Sequence, residues 1–374
     1  MRFPKSIMPG ATIGFVAPAF GCNVEPYKSA FENAQKHFRQ EGYNLQLGPN
    51  CYEGKGIGIS NTPLLCGEEL TEYYCSPASD MLISCGGGEL MCETMSYVDF
   101  DKIAAAPAKW YTGYSDNTNF EFLLETLCDT ASVYGPCAAA YGMEPQHKCL
   151  KDAMAIFEGK TFDENALGKN FSDENAFELK QSEEQFTGRN YIVKNYDLWE
   201  KEGLKDEEHP LLPYNCTEEN VMKAFNPKQQ PIASAAFSGR LIGGCMDCLT
   251  NLVGTRFDKV STFLERYKED GFVWFLESCD LNVFSMRRAM WQMYEAGWFK
   301  YAKGFLIGRP LHFGEEMMGL DQYNAITETA AKLNIPVIMD CDFGHLPPAM
   351  PLICGSIANV TFNDNKLTID MREE

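Results

Sequence analysis

Lys109-Trp110-Tyr111-Thr112-Gly113-Tyr114-Ser115-Asp116-Asn117-Thr118-Asn119 joins an aromatic, β-prone run to a polar cluster. After it, Phe120-Glu121-Phe122-Leu123-Leu124-Glu125 reads as a helix. A serine between a strand end and a helix start is pushed onto a sharp turn. Its hydroxyl is exposed there, and the N–H groups that follow point at whatever it attacks. Gly113 lets the chain turn without a Cβ clash. The plainer alternative is that Ser115 or Asp116 only caps the helix, a common use of these residue types. Taken alone the stretch favours capping, and the rest of the chain reverses that preference.

Upstream, residues 11–18 form a short apolar run stopped by Pro18, which suits a buried parallel strand. Ser29 to Glu41 reads as an amphipathic helix closed by Gly42, and residues 43–47 alternate like a strand. Gly54, Gly56 and Gly58 follow no convincing strand and open no helix, so they read as a loop. Met81-Leu82-Ile83-Ser84-Cys85 is a second buried-strand candidate and runs into Gly86-Gly87-Gly88, with a helix expected from Glu89 to Met95. Glycines at a strand's carboxyl end bring bare N–H groups close to a ligand, although a plain tight turn uses them equally. Strand, glycine turn and helix make the βα unit of a doubly wound parallel sheet. Such sheets bind ligands at the carboxyl ends of their strands, so the glycines and Ser115 are expected to share one crevice.

Downstream, residues 131–158 continue the α/β pattern. From Glu158 to Asn220 the chain carries 16 Asp/Glu against 7 Lys/Arg, with few aliphatic runs, which reads as a linker or surface insertion. A second α/β domain begins near Phe237-Ser238-Gly239-Arg240-Leu241-Ile242-Gly243-Gly244. Its later strands are expected at residues 271–276, 304–307 and 335–339. The expected organisation is an N-terminal domain over 1–160, an acidic insertion over 161–235 and a C-terminal α/β domain over 236–374.

The bulk properties narrow the function classes. With 374 residues, 45% hydrophobic and 13% aromatic, the chain can bury substantial cores. A net charge of −20 repels phosphate backbones and anionic lipid, which argues against nucleic-acid or membrane partners. No apolar run approaches a membrane span, and Pro9-Gly10 interrupts what would be a signal peptide's apolar region. Fifteen dispersed cysteines fit a reducing compartment, so the cytoplasm is expected. Cys245-Met246-Asp247-Cys248 is a lone C-x-x-C without the second pair that zinc requires, and reads as small buried thiols at a helix start.

A serine nucleophile needs a base, and the base needs a group that holds its tautomer. Of five histidines, His37, His147, His209 and His312 lie where ordinary surface or core residues would serve. His345 lies in Asp342-Phe343-Gly344-His345-Leu346-Pro347-Pro348, an irregular loop fixed by glycine and prolines just after a buried strand. Glu277 ends the apolar run Phe272-Val273-Trp274-Phe275-Leu276, where a carboxylate needs a partner such as an imidazole N–H.

Gly113-Tyr114-Ser115-Asp116-x-Thr118 resembles the nucleophile signature of the LD-carboxypeptidase family, which includes the microcin C immunity hydrolases. Other blocks agree in order: Pro9-Gly10 with Ala17-Pro18, Gly86-Gly87, Gly239-Arg240 through Gly244, Phe275-Leu276-Glu277, and Phe343-Gly344-His345-x-x-Pro348. The resemblance covers most of the chain outside about 160–235. It implies a triad of Ser115, His345 and Glu277, with an oxyanion hole from the N–H groups of Gly86, Gly87 and Asp116. It also implies a homodimer without metal or cofactor that cleaves the L–D amide of murein tetrapeptides in peptidoglycan recycling. Peptidyl- or aminoacyl-nucleotides are the alternative substrate. Asn195 to Glu200 resembles the tryptophan loop of the microcin-immunity branch, so Trp199 is a candidate substrate contact, with burial as a surface anchor the competing reading. Cys85 stands where many members have arginine, and Cys245, Asp247 and Cys248 where relatives are apolar or small. A binding protein on a hydrolase scaffold is the alternative of a different class.

Overall fold

The computed structural model describes residues 1–161, 180–181 and 189–374. The remainder of the acidic stretch expected at 161–235, residues 162–179 and 182–188, lies outside the described residues. The apolar, β-branched run Thr12–Val16 is extended and largely buried. It belongs to a six-stranded sheet in the order Leu352–Cys354, Ser132–Tyr134, Trp110–Gly113, Met81–Ser84, Thr12–Val16, Asn44–Leu47. Neighbours among the last five pair in parallel, while Leu352–Cys354 pairs antiparallel to Ser132–Tyr134. The winding reverses between Thr12–Val16 and Met81–Ser84, and a ligand crevice belongs at the carboxyl side of such a reversal. There the Phe20 N–H donates to the Gly87 carbonyl at 2.6 Å, tying the two loops that follow these strands.

The expected helix after the first strand spans Tyr27–Gln40 and ends before Gly42, whose φ of +92° stops it. The helix expected at 89–95 is shorter, Met91–Thr94, and tightens into a 3-10 turn over Met95–Tyr97. No regular element forms over Gly54 to Gly58.

The second sheet has nine strands. Four form its parallel centre: Ser234–Cys245, Phe272–Glu277, Ala302–Gly308 and Val337–Cys341. Strands on either side are antiparallel. Phe272–Glu277 is buried throughout because both faces of the sheet are covered. Val273 and Phe275 enter one core, while Phe272, Trp274 and Leu276 enter the other, the alternation that a period of two requires. Trp298 stacks on Trp274 and on Phe122 of the Thr118–Thr126 helix, so the second core reaches under the serine's own helix.

The two sheets exchange chain. Leu352–Cys354, after the histidine loop, edges the sheet that carries Ser115. Asn190–Lys194, from within the acidic stretch, edges the nine-stranded sheet beside Lys366–Arg372. The carboxyl ends of Trp110–Gly113 and of the second sheet's parallel strands meet at a seam. There the Cys245 N–H donates to Thr118 Oγ1 at 3.0 Å.

Candidate active site

Trp110–Gly113 ends at the seam, and the chain turns through Tyr114 and Ser115 into a 3-10 turn, Ser115–Asn117, continuous with the Thr118–Thr126 helix. The left-handed conformation falls on the serine itself, at φ +63°. A non-glycine residue held there is strained, which is the geometry of a nucleophile presented on an elbow. Gly113 serves differently from the turn expected of it. A Cβ there would come within 2.5 Å of Asn117 Cγ, so the glycine makes room for the Asn117 side chain. The capping alternative fails in its side-chain form, since neither turn start carries a side-chain cap bond.

Three residues expected from sequence are brought together. Ser115 Oγ lies 2.9 Å from His345 Nε2, and His345 Nδ1 lies 2.8 Å from Glu277 Oε2. The loop after Val337–Cys341 delivers His345, whose side chain is 12% exposed; Glu277 closes the strand Phe272–Glu277 and is fully buried. Burial alone would raise the Glu277 pKa, but the His345 charge and hydrogen bonds from His345, Tyr134 and Cys245 bring it below 4.5. Burial would likewise lower His345. The Glu277 charge and contacts with Cys279 overcome it, and His345 is held well above 6.5. Tyr114 lays its ring 5.4 Å from the imidazole centroid.

Sequence reasoning missed Tyr134 and Asn117. The Tyr134 hydroxyl donates to Glu277 Oε1 at 2.5 Å and accepts the Ser115 N–H at 3.1 Å. Asn117 Nδ2 donates to the carbonyls of Gly86 at 2.9 Å and Tyr114 at 3.0 Å. A trans peptide sets its C=O and N–H on opposite sides. Pinning the Gly86 carbonyl on Asn117 therefore turns the Gly87 N–H the other way. Gly87 lies against Ser115, since a Cβ on it would stand 3.2 Å from Ser115 Oγ.

Asp116 follows the serine. Its carboxylate accepts from the Met91 N–H at 2.7 Å and Asn119 Nδ2 at 2.8 Å, and burial pushes its pKa up to about 6. It fixes the elbow to the segment after the glycines. The cysteines of the C-x-x-C are buried at the seam, with Cys248 Sγ 3.6 Å from the Ser115 carbonyl. All fifteen cysteines are free thiols.

Trp199 packs on a residue paired with the histidine loop. Its ring is 5% exposed, lies over the Arg309 guanidinium at 4.6 Å, and meets Phe313 edge-on. Arg309 pairs with Asp342 in the histidine loop at 2.5 Å, and both are buried. Asp342 also accepts the Tyr196 N–H and Asn220 Nδ2, and the Glu200 N–H donates to the Pro347 carbonyl at 2.7 Å. Residues 196–220 thus brace the loop that holds His345.

Residues 13–135 match the LD-carboxypeptidase N-terminal domain and residues 238–360 the LD-carboxypeptidase C-terminal domain. A chain built of these two is a serine peptidase-like hydrolase. This one belongs to the LD-carboxypeptidase family. The microcin C7 self-immunity protein MccF of Escherichia coli is 22% identical over 362 residues, covering 96% of this chain and 93% of its own. A structure of microcin C7 self-immunity protein MccF in complex with aspartyl sulfamoyl adenosine superposes with a TM-score of 0.77 at 20% identity, covering 100% of this chain and 99% of that one. The muramoyltetrapeptide carboxypeptidase from Oxalobacter formigenes superposes with a TM-score of 0.67 at 18% identity, covering 96% and 98%. No helix among the described residues is long and apolar enough to cross a membrane.

Proposed function

We propose that the chain hydrolyses an amide bond of a small peptide through a Ser115–His345–Glu277 triad. The observation that carries this reading is the relay itself: 2.9 Å from Ser115 Oγ to His345 Nε2, and 2.8 Å from Nδ1 to Glu277. Ser115 Oγ attacks the carbonyl carbon as His345 Nε2 takes its proton, and Glu277 stabilises the imidazolium that forms. The oxyanion is held by backbone N–H groups at Gly86, Gly87 and Asp116. The Ser115 N–H is already given to Tyr134, so it contributes nothing there. His345 then returns the proton to the leaving amine, and water releases the acyl group from Ser115 by the same route. The mechanism asks for no cofactor.

The first substrate is the L–D amide of a murein tetrapeptide, in keeping with the family. The MccF complex raises aminoacyl-nucleotides as the second. Trp199, the candidate substrate contact, has its ring covered by Arg309 and Phe313, which favours the peptide over a nucleobase that would stack on it. A cytoplasmic homodimer completes the proposal, and sedimentation tests the dimer. The decisive experiment compares wild type with Ser115→Ala on an L–D tetrapeptide and an aminoacyl sulfamoyl adenosine. Wild type is expected to release D-alanine faster than it cleaves the nucleotide. Ser115→Ala is expected to lose about three orders of magnitude or more on either substrate while keeping its fold. Near-wild-type turnover by the alanine variant would refute the serine mechanism.

A further inference from the structure

Tyr134 has a hydroxyl that reaches two groups of the site at once. It comes from the strand Ser132–Tyr134, next to the strand that ends at the serine elbow, and its ring packs 5.4 Å from Phe275. As donor it meets Glu277 Oε1 at 2.5 Å, the oxygen not used by His345; as acceptor it takes the Ser115 N–H at 3.1 Å. A phenol has one proton to give, and here the carboxylate takes it. Backbone donation to the same oxygen polarises the O–H and strengthens the bond it gives.

We propose that Tyr134 is a positioning residue that locks the orienting carboxylate to the backbone of the nucleophile across the seam between the two sheets. The proposal rests on the triad reading above. Glu277 is supplied by one sheet and Ser115 by the other. Besides this hydroxyl, the bridge from Glu277 to Ser115 runs through His345. The hydroxyl closes a ring of hydrogen bonds: Ser115 Oγ to His345, His345 to Glu277, Glu277 to Tyr134, and Tyr134 back to the Ser115 N–H. That ring sets the strained serine and the carboxylate on one frame, so the imidazole between them has one placement.

The same bond bears on charge. The titratable groups that face the ring are Cys245 beside Glu277, Cys248 and Asp116 beside Ser115, Cys279 beside His345, Asp247 against Cys245 and the Cys279 N–H, and Tyr114 against the imidazole. Cys245 also hydrogen-bonds Glu277, and Tyr134 is the donor seen on Oε1. Without Tyr134, the buried carboxylate keeps its charge less easily and draws the proton of His345 more strongly. The imidazole then becomes free to act as base only at higher pH.

A fluorophosphonate probe reads the reactivity of the serine without a known substrate. Labelling is followed from pH 5 to 10 in wild type, Tyr134→Phe, Glu277→Gln and the double variant, with Ser115→Ala as control. Tyr134→Phe is expected to label about 10-fold more slowly, with its acidic limb moved to higher pH. In the Glu277→Gln background the tyrosine change is expected to add little, because its route runs through Glu277. Protein with 3-fluorotyrosine in place of Tyr134 keeps ring and hydroxyl and supplies a stronger donor, so its acidic limb is expected to move down. It also serves if the phenylalanine variant does not fold. An unchanged rate and pH profile in Tyr134→Phe, or losses that simply multiply in the double variant, would overturn the proposal. So would a 3-fluorotyrosine limb that stays in place. Labelling that survives Ser115→Ala would instead overturn the triad, a separate result.

Discussion

His345 shows how much one side chain can decide. Its pKa is raised above 6.5 because the Glu277 carboxylate outweighs burial. A protonated imidazole cannot accept the serine proton, so activity is expected to fall as pH drops through a value above 6.5. A pH–rate profile of kcat/KM checks this, and a limb at or below 6.5 would contradict it. Stability runs in the opposite sense. A histidine raised on folding stabilises the fold below its unfolded pKa, and that contribution is lost as pH rises through the folded value. The imidazole therefore supports the fold least where it works best. Ser115, His345 and Glu277 were legible because each breaks a local pattern: a serine at a strand-to-helix junction, a histidine among glycine and prolines, a carboxylate ending an apolar run. Tyr134 breaks none. In Ser132-Val133-Tyr134 it reads as an ordinary strand aromatic, and nothing local says that its hydroxyl meets a residue far along the chain.

Among the elements, the Thr118–Thr126 helix shows most clearly what sequence patterns leave out. Glutamates on a helix usually face water, yet Glu121 and Glu125 are both fully buried. Glu121 Oε1 accepts the Gly113 N–H at 3.1 Å, whereas neither oxygen of Glu125 has a protein partner among the described residues. Burial pushes both pKa values well above 4.5, so each carboxyl holds its proton more tightly inside the fold. Below 4.5 folded and unfolded chains both hold the proton. Above it only the unfolded chain releases it, and stability falls as pH rises towards the folded value. Glu125→Met removes that loss and is expected to raise Tm by about 2–4 °C or more at pH 8, with a smaller gain at pH 5. Calorimetry at the two pH values measures it, and equal shifts would argue against a titrating Glu125. The parallel strands were legible for the opposite reason, since burial on both faces writes them as unbroken apolar runs. The short return strand Leu352–Cys354 was not, because three residues carry no period.

Over the whole molecule, the acidic stretch turns out to be tied to the site by its described end. Trp199, Tyr196 and Asn220 all bear on the Arg309–Asp342 pair beneath the histidine loop. Trp199→Ala should remove a buried indole and loosen that pair, costing about 3–5 kcal/mol of stability. It is expected to depress turnover of a tetrapeptide and of an aminoacyl nucleotide in similar proportion, while lowering Tm. A selective loss on the nucleotide with an unchanged Tm would return Trp199 to substrate contact. The strand Asn190–Lys194 and the bracing of the histidine loop by residues 196–220 depend on long-range bonds that composition does not encode.

The crossing of Leu352–Cys354 into the serine's sheet also bears on how the chain is made. A ribosome releases Tyr134 with one edge of its strand open, and the partner for that edge emerges roughly 220 residues later, about 10–40 s at ordinary elongation rates. An open edge is a template for the wrong partner, so the nascent protein is exposed to misassembly during this interval. The timing has a second effect. His345 leaves the ribosome before Leu352, so the sheet that carries Ser115 is closed only after His345 has been synthesised.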